Sequence, residues 1–480
     1  MIRQNHTIKK FSLELQTDGR EQAYNLQRKC ITMVNESLAK GMDEVLSNHF
    51  AADDMVRINK LEIDLGTISL AALETDFVAR CIAELSNKIN AIPVAAAQQE
   101  TGEITIVDKE ENAIGQFFYF LATGKMLWTV SDISFEQWQM TITAAIRNKA
   151  YLFKNEFSKL LVNEPPVMQR LLLQFDDDFI ALLVELYQPG LKNEYVRLAA
   201  LLQEQIFATD HAVARSRVLA TLLPAIFLNL SVIKKDTLPQ LIEWINNLPV
   251  KNDDEGKLIA IEKAIVVMAE KMTHIFSALP EIKIRTQEPA DDIVEWKAKE
   301  VGKEKLKEIG STDSSFFVNN AGIIILHPFL KNIFTSVGLM DQDEFKDDFS
   351  RQKAVHLLQY LANHQKEAPE YVLQLNKILC GLNDSEHVDR FIHLNELEIK
   401  EANDLLQAVI THWTILKNTS PQALQQTFFE RNGKLTFNET DQYWKLQVEK
   451  KAVDILMDKI PWGISYIQLP WMKYALVTEW

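Results

Sequence analysis

The sequence predicts a mainly helical, multidomain protein of the α+β class. Over most of its 480 residues, apolar side chains recur every three or four positions, which is the spacing of amphipathic helices. Short runs near both ends alternate apolar and polar residues instead, which is typical of half-buried strands. Because a domain usually holds roughly 150 residues, we expect several folded units.

Residues 1–92 are predicted to form a small strand-helix-strand-helix unit. The run FSLEL alternates apolar and polar residues, and an apolar stripe at helical spacing follows over residues 20–50. The run MVRINKLEIDLG, in which Leu61, Ile63 and Leu65 alternate with polar residues, and the amphipathic stretch LETDFVARCIAELSNKI then repeat this order. Cys30 and Cys81 hold comparable positions in the two helices. A duplicated unit is one interpretation, and two unrelated strands of similar period are the other.

The middle of the chain is predicted to be helical between two linkers. Residues 93–112 are mostly polar and read as a linker. Residues 113–282 carry apolar stripes separated by the breakers TGK, NEPP, QPG and NNLP. Short antiparallel helices in a helical repeat or a bundle are expected there, although no fixed repeat period is present. Residues 283–315 are rich in charges of both signs and read as a second linker.

The C-terminal domain, residues 316–480, is predicted to be mostly helical with an extended ending. It opens with the apolar run AGIIILHPFL, in which Pro328 suits the first turn of a helix that stops at Gly338. It closes with DKIPWGISYIQLPWMKYALVTEW. Each proline there biases the preceding residue away from helix, so the ending is predicted to be a strand or an extended, partly buried segment.

Composition argues against several classes of partner. A formal net charge of −15 and a pI near 5.3 do not suit nucleic-acid binding, which usually needs a basic face. The three cysteines form no CxxC pair and no disulfide framework, so they are predicted to be reduced thiols. The N-terminus lacks the apolar core of a secretory signal, and no run approaches the roughly 20 apolar residues of a membrane span. We therefore expect a cytoplasmic protein that binds neither nucleic acid nor membrane.

The sequence contains no motif that indicates a cofactor, a metal ion or catalysis. The histidines form no HExxH pair, and the glycine-lysine pair at Gly124 lacks the earlier glycine and the following hydroxyl of a phosphate loop. The acidic run FDDDF lacks the ligand spacing of a calcium loop and indicates a turn or helix start. Polar neighbours place His356 on a polar flank of its helix. If folding assembled an enzyme site from distant groups, the first candidates would be His327, Asp347, His356 and His412.

Several segments in a fixed order resemble one protein family. They are IIILHPFLKNIF, QKAVHLLQYLA, PEYVLQLNKILCGL, LLQAVITHWTILKNTS, LQQTFFERNGKL and the Pro-Trp ending, together with INKLEIDLG near the start and FFYFLATGKMLW in the middle. This succession resembles the tape-measure-like protein family of bacterial contractile injection systems, which are phage-tail-like particles. The resemblance implies a non-enzymatic protein that acts in particle assembly or length control. It also implies tail tube, baseplate or cap proteins as partners, and a place in a phage-tail-like particle.

The pattern of breakers favours compact domains over a stretched ruler. An unbroken helix of 480 residues would reach roughly 700 Å at about 1.5 Å per residue. Proline and glycine interrupt this chain throughout, and its apolar stripes must bury against neighbours. An assembly factor is therefore preferred. A helical-repeat interaction module or assembly chaperone outside the particle is the alternative, and the oligomeric state is left open.

The candidate partner-binding residues lie in the Pro-Trp ending, and they are Pro461, Trp462, Pro470, Trp471 and Trp480. In one interpretation the three indoles pack over the helices of their own domain, and each N–H finds a partner there. In the other, part of this aromatic edge is exposed and docks on another particle protein, by adding a strand or filling a groove.

Overall fold

The computed structural model describes residues 6, 8, 11–17, 20–50, 55–58, 60–90, 104–126, 133–164, 166–206, 219–220, 222–224, 226–228, 237–246 and 315–480. The chain divides into two compact units, Met1–Ala113 and Ile114–Trp480. Its described residues are mainly helical, with a small mixed sheet toward the C-terminus. The predicted fold class is therefore confirmed.

The first unit combines helices with one antiparallel strand pair. Its elements are α1 (Arg20–Met33), a π-helical turn (Val34–Leu38), α2 (Ala39–His49), β1 (Met55–Ile58), α3 (Leu73–Asn90) and β2 (Ile104–Val107). The two long amphipathic helices predicted here are confirmed, the first as α1, the turn and α2 in succession. Strands β1 and β2 pair with Met55 opposite Val107.

A small apolar core holds the helices of the first unit together. Its buried members are Leu26, Cys30, Leu38, Leu73, Phe77 and Cys81. The two cysteines are free, and burial raises the pKa of both thiols. At neutral pH they therefore remain protonated and act as small apolar side chains.

The strands of this unit lie elsewhere than the alternation suggests. Residues 11–17 form no strand, and the side chains of Phe11 and Leu15 are 45% and 40% exposed. The paired part of the second alternating run is β1, and its partner β2 comes from the segment predicted as a linker. Alternation indicates a face that can be buried, but the position of the partner strand decides which residues pair.

The second unit begins with a set of helices, which confirms the helical character predicted for the described part of residues 113–282. They are α4 (Lys109–Thr123, which starts in the first unit), α5 (Phe135–Asn148), α6 (Ala150–Asn163), α7 (Pro166–Gln174), α8 (Asp177–Tyr187), α9 (Lys192–Ile206) and α10 (Thr237–Asn246). Helices end at the TGK, NEPP and QPG breakers. The FDDDF run is a helix start, because the Asp176 carboxylate accepts a hydrogen bond from the Phe179 backbone N–H at 2.8 Å.

Aromatic rings form much of the core of these helices. Phe117 and Phe120 of α4 are fully buried, and the Phe117 ring lies 5.4 Å from that of Phe175. Phe175 stacks in turn on Phe179 with ring centroids 4.5 Å apart. Such pairs add about 0.5–1.5 kcal/mol each beyond their burial, so the FFYF segment anchors this part of the unit.

The rest of the second unit mixes short helices with a sheet. Its elements are β3 (Ser315–Val318), a 3₁₀ helix (Ala321–Phe329), α11 (Leu330–Ser336), β4 (Met340–Asp341), β5 (Glu344–Phe345), α12 (Asp348–Asn363), a 3₁₀ turn (Glu370–Val372), α13 (Gln374–Leu379), α14 (Glu396–His412), a 3₁₀ turn (Thr414–Leu416), α15 (Pro421–Leu424), a π-helical turn (Gln425–Phe429), β6 (Gly433–Asn438), β7 (Tyr443–Val448), a 3₁₀ helix (Ala452–Lys459), β8 (Tyr466–Ile467) and β9 (Leu476–Glu479). The helix expected after Pro328 is α11, and Gly338 follows it with φ +77°.

Five strands form one sheet in the order β3-β6-β7-β9-β8. Neighbouring strands are antiparallel except β7 and β9, which run parallel. Both β8 and β9 come from the Pro-Trp ending, which confirms its extended character. Alternate residues on one side of the sheet, such as Leu435, Leu446 and Leu476, are fully buried in the core.

Two predictions fall on parts of the chain outside the described residues. They concern the helices expected over 247–282 and the charged linker 283–315, of which Ser315 alone is described.

Candidate interaction surface and buried charge cluster

The three tryptophans of the ending pack against the core formed by residues 316–476 of the second unit. Each of them is partly buried there. Each of these three indole N–H groups donates to an acceptor of the same unit: Trp462 to Ile325 O at 3.0 Å, Trp471 to Leu379 O at 2.9 Å and Trp480 to Asp454 Oδ2 at 3.1 Å. The internal-packing interpretation is thus confirmed for the indoles. A docking role for Pro461, Trp462, Pro470, Trp471 and Trp480 stays a prediction.

The other side of the sheet faces away from this core. The register places Phe317, Lys434, Gln447 and Glu479 in one outward row, and Ser315, Thr436, Lys445, Val477 and Tyr466 in the next. We call these two rows the outward sheet face. Its aromatic members, Phe317 and Tyr466, are 58% and 63% exposed and lie on the two edge strands. Aromatic residues are enriched in protein–protein interfaces relative to the rest of the surface.

A cluster of buried charges joins α7 to the segment around α13. We call Arg170, Glu370 and Lys377 the buried charge cluster, since none of them is more than 1% exposed. The Arg170 guanidinium meets both carboxylate oxygens of Glu370, with Nε 2.9 Å from Oε2 and Nη2 3.5 Å from Oε1. Lys377 Nζ donates to Glu370 Oε1 at 3.0 Å. One carboxylate therefore balances two cations in a water-excluded site.

Backbone carbonyls supply the remaining acceptors of the cluster. Arg170 donates to the carbonyl of Leu121, in the last turn of α4, and to that of Ser385 at 3.1 Å. Lys377 Nζ donates to the Asp384 carbonyl at 2.6 Å. Carbonyls at a helix C-terminus carry partial negative charge, so α4 helps to balance the Arg170 cation. Desolvation nevertheless lowers the pKa of Lys377, against the opposing effect of Glu370.

Two glutamines extend the cluster into a polar network. Gln174 Oε1 accepts from the Glu370 backbone N–H at 2.8 Å, and its Nε2 donates to Val388 O at 2.7 Å. Gln374 Nε2 donates to the Gly124 carbonyl at 2.9 Å. These hydrogen bonds join segments that lie about 200 residues apart in the sequence.

Gly124 explains the glycine-lysine pair that superficially suggests a phosphate loop. Its φ is +69°, a conformation that glycine adopts without steric cost. A Cβ there would also meet Glu370 Oε1 within 2.2 Å. The neighbouring Lys125 Nζ pairs with Asp384 Oδ2 at 2.5 Å. The glycine-lysine pair therefore follows the last residue of α4 and lies beside the buried charge cluster.

Comparison with known proteins assigns the chain to a family. The sequence profile described as contractile injection system tape measure protein matches residues 5–480. The chain belongs to this family. The resemblance noted in the sequence is thus confirmed, and the match covers nearly all of this tape measure family protein. No significant match was found among curated proteins or among solved structures.

Three of the candidates for an enzyme site in this tape measure family protein make local contacts. His327 Nδ1 lies 3.0 Å from Ile324 O, and the Asp347 carboxylate caps α12 by accepting from the Ser350 N–H at 2.6 Å. His412 is the last residue of α14, and its ring centroid lies 6.0 Å from that of Phe329. Among the described residues, no group of three His, Cys, Asp or Glu side chains could hold a metal ion.

His356 lies in the core and not on a polar flank, so that prediction is wrong. It is 1% exposed, and its Nε2 lies 2.7 Å from the carbonyl oxygen of Asp389. Burial lowers the pKa of His356 to about 4. The polar side of α12 can be buried because other polar residues there also form hydrogen bonds. For example, Gln359 Oε1 of α12 accepts from Asn376 Nδ2 at 3.1 Å.

Sequence reasoning missed the buried charge cluster. The available signal was one cation inside each of two apolar runs, Arg170 in VMQRLLLQF and Lys377 in LQLNKILCGL. Such a cation needs a buried partner, but the sequence does not identify Glu370 as that partner.

No described helix is long and apolar enough to cross a membrane.

We expect Glu370→Gln to destabilise the second unit by about 3–5 kcal/mol, because it leaves two buried cations without their carboxylate. The measurement is chemical unfolding followed by tryptophan fluorescence. This probe reports the second unit, since all nine tryptophans lie beyond residue 113. The matched control is Asp343→Asn, which removes an exposed ion pair with Lys331 and should cost under about 1 kcal/mol. Equal midpoints for the two variants would contradict the role of the cluster.

Gly124→Ala should destabilise the second unit more than Gly190→Ala does. Gly190 also has a positive φ of +92°, but a Cβ there meets nothing within 4 Å. Its substitution should therefore cost only the backbone strain of about 1–2 kcal/mol, while that of Gly124 adds the clash with Glu370. Unfolding curves of the two variants provide the comparison, and a smaller loss at Gly124 would show that α4 does not approach the cluster so closely.

His356 should make stability fall as the pH falls. The folded pKa of about 4 lies below the ordinary value of 6.5, so the unfolded chain binds a proton first. The contribution of His356 is complete above pH 6.5 and is lost toward pH 4, by about 3 kcal/mol in total. His356→Gln should flatten the plot of unfolding free energy against pH over this window, as measured by chemical unfolding at a series of pH values. An unchanged slope in His356→Gln would refute the assignment.

Proposed function

We propose that this protein is a non-enzymatic assembly factor of a contractile injection system, acting in tube assembly or length control as compact domains. Its family supports a structural role in such particles. The observation that carries the compact form is the buried charge cluster, in which Arg170 and Glu370 meet although 200 positions separate them. Stretching the chain into a ruler would separate these charges and expose the cores on either side of them.

We further propose that the outward sheet face docks on another particle protein, a tail tube, baseplate or cap component. Phe317 and Tyr466 would act as aromatic anchors at the two edge strands. These strands are four intervals apart in the sheet, or roughly 19 Å at about 4.8 Å per interval. The contacts of the three tryptophans would hold β8 and β9 in place. The predicted partner-binding residues between Pro461 and Trp480 would therefore position the surface and not contact the partner themselves.

Deleting the gene in a producing bacterium and imaging the particles tests the assembly role. We expect no particles or an altered tube length, and mass spectrometry of wild-type particles would show whether the protein remains in them. Normal particles of normal length would refute the assembly role and favour an interaction module outside the particle.

The docking surface is tested by the double variant Phe317→Ser and Tyr466→Ser. The control is Met140→Ser with Tyr151→Ser, which replaces side chains that are 68% and 88% exposed on α5 and α6. The first pair should lower particle yield or change tube length while tryptophan fluorescence stays native, and the control should match the wild type. Normal particles from the first variant would exclude this face as the docking site. Truncation at Pro470 is a poorer test, because it removes β9 from the sheet.

A further inference from the structure

A cleft opens at one end of the C-terminal sheet, beside the loop that follows α13. Its volume is about 250 Å³. The residues that matter here are three aromatic ones, two acidic ones and a lysine: Phe437, Trp444, Tyr474, Asp384, Glu439 and Lys473. Pockets for cofactors and drug-sized ligands usually measure about 300–1,000 Å³, so this cleft suits a single long side chain.

Aromatic rings form one wall of the cleft. The Phe437 ring centroid lies 4.9 Å from that of Trp444 and 5.0 Å from that of Tyr474. Aromatic faces attract cations, and guanidinium groups stack on them better than ammonium groups do. This wall therefore favours the flat cation of an arginine over a neutral or anionic group.

The chain already places its own cations in this way. Lys125 Nζ lies 4.6 Å from the Phe316 ring centroid while it pairs with Asp384. Lys473 Nζ lies 5.0 Å from the ring centroid of Tyr474, within the cleft itself. Lys473 is exposed on a flexible stem, so an incoming cation can displace it.

A carboxylate is available to pair with such a cation. Glu439 is exposed in the turn between β6 and β7, and it makes no ion pair with any residue that the structure describes. Asp384, in contrast, is engaged by Lys125. The combination of an aromatic wall and an uncommitted carboxylate fits one arginine side chain.

The rim of the cleft is held rigidly before any ligand arrives. Gly381 has a φ of +76°, and a Cβ there would lie 2.3 Å from the Trp471 carbonyl oxygen. The Trp471 indole also donates to Leu379 O at 2.9 Å. A rim fixed in this way reduces the ordering cost of binding.

We propose that this cleft binds an arginine side chain presented by a protein partner, with Glu439 as its counter-ion and Lys473 as a built-in competitor. An acidic chain with a net charge of −15 suits a partner with basic residues. The cleft and the outward sheet face are defined by different residues, and binding at the cleft does not depend on the assembly role.

The experiment uses the full chain and two capped pentapeptides, Gly-Gly-Arg-Gly-Gly and the same sequence with neutral citrulline in place of arginine. Saturation-transfer NMR titrations measure their dissociation constants at low salt. The arginine peptide should bind about fivefold more tightly than the citrulline peptide. Glu439→Gln should weaken arginine binding about threefold to fivefold, while the control Glu430→Gln, which removes another exposed glutamate, should leave it unchanged.

Lys473→Met gives the decisive second test, because it keeps the side-chain stem and removes the competing charge. It should tighten arginine binding about twofold to threefold, an effect that general loss of structure would not produce. The proposal is overturned if arginine and citrulline peptides bind equally or if neither binds up to about 10 mM. It is equally overturned if Glu430→Gln weakens binding as much as Glu439→Gln, or if Lys473→Met fails to strengthen it.

Discussion

The second unit depends on one buried negative charge, the carboxylate of Glu370. This carboxylate pairs with Arg170 of α7 and with Lys377 of α13. The backbone N–H of Glu370 also donates to the Gln174 side chain. Removing charges from water is costly, and only full pairing offsets that cost. The carbonyl at the end of α4 and the glycine that follows α4 take part in this pairing, so the position of α4 is tied to the same carboxylate.

A polar joint of this kind specifies geometry more than it adds stability. The hydrophobic effect between helices is non-directional, whereas a guanidinium that meets a carboxylate with two nitrogens requires a specific geometry. Replacing such a cluster by apolar residues can even stabilise a protein. We infer that the cluster fixes how α4 and α7 pack against the segment around α13 within the second unit, while the apolar core supplies most of the free energy of folding.

The C-terminal ending gives the sheet two different sides. On one side it buries Ile467 and Leu476 in the core, and the half-buried tryptophans direct their indole N–H groups to acceptors within the unit. On the other side it leaves Tyr466 exposed. The same strands therefore contribute both to the core and to the outward sheet face, because successive side chains of a strand point to opposite sides.

The sequence by itself determined the class of fold, the helices from α1 to α9 and the family. Helical spacing and breakers located α4 to α9, since these signals are local, and the prolines marked the ending as extended. Several features needed the tertiary structure. The partner of β1 is a distant strand, the alternating run at Phe11 has no partner among the described residues, and His356 is buried because polar residues from other segments meet its helix. The buried charge cluster was likewise decided only by folding, because nothing local to Arg170 indicates that its counter-ion lies 200 positions later.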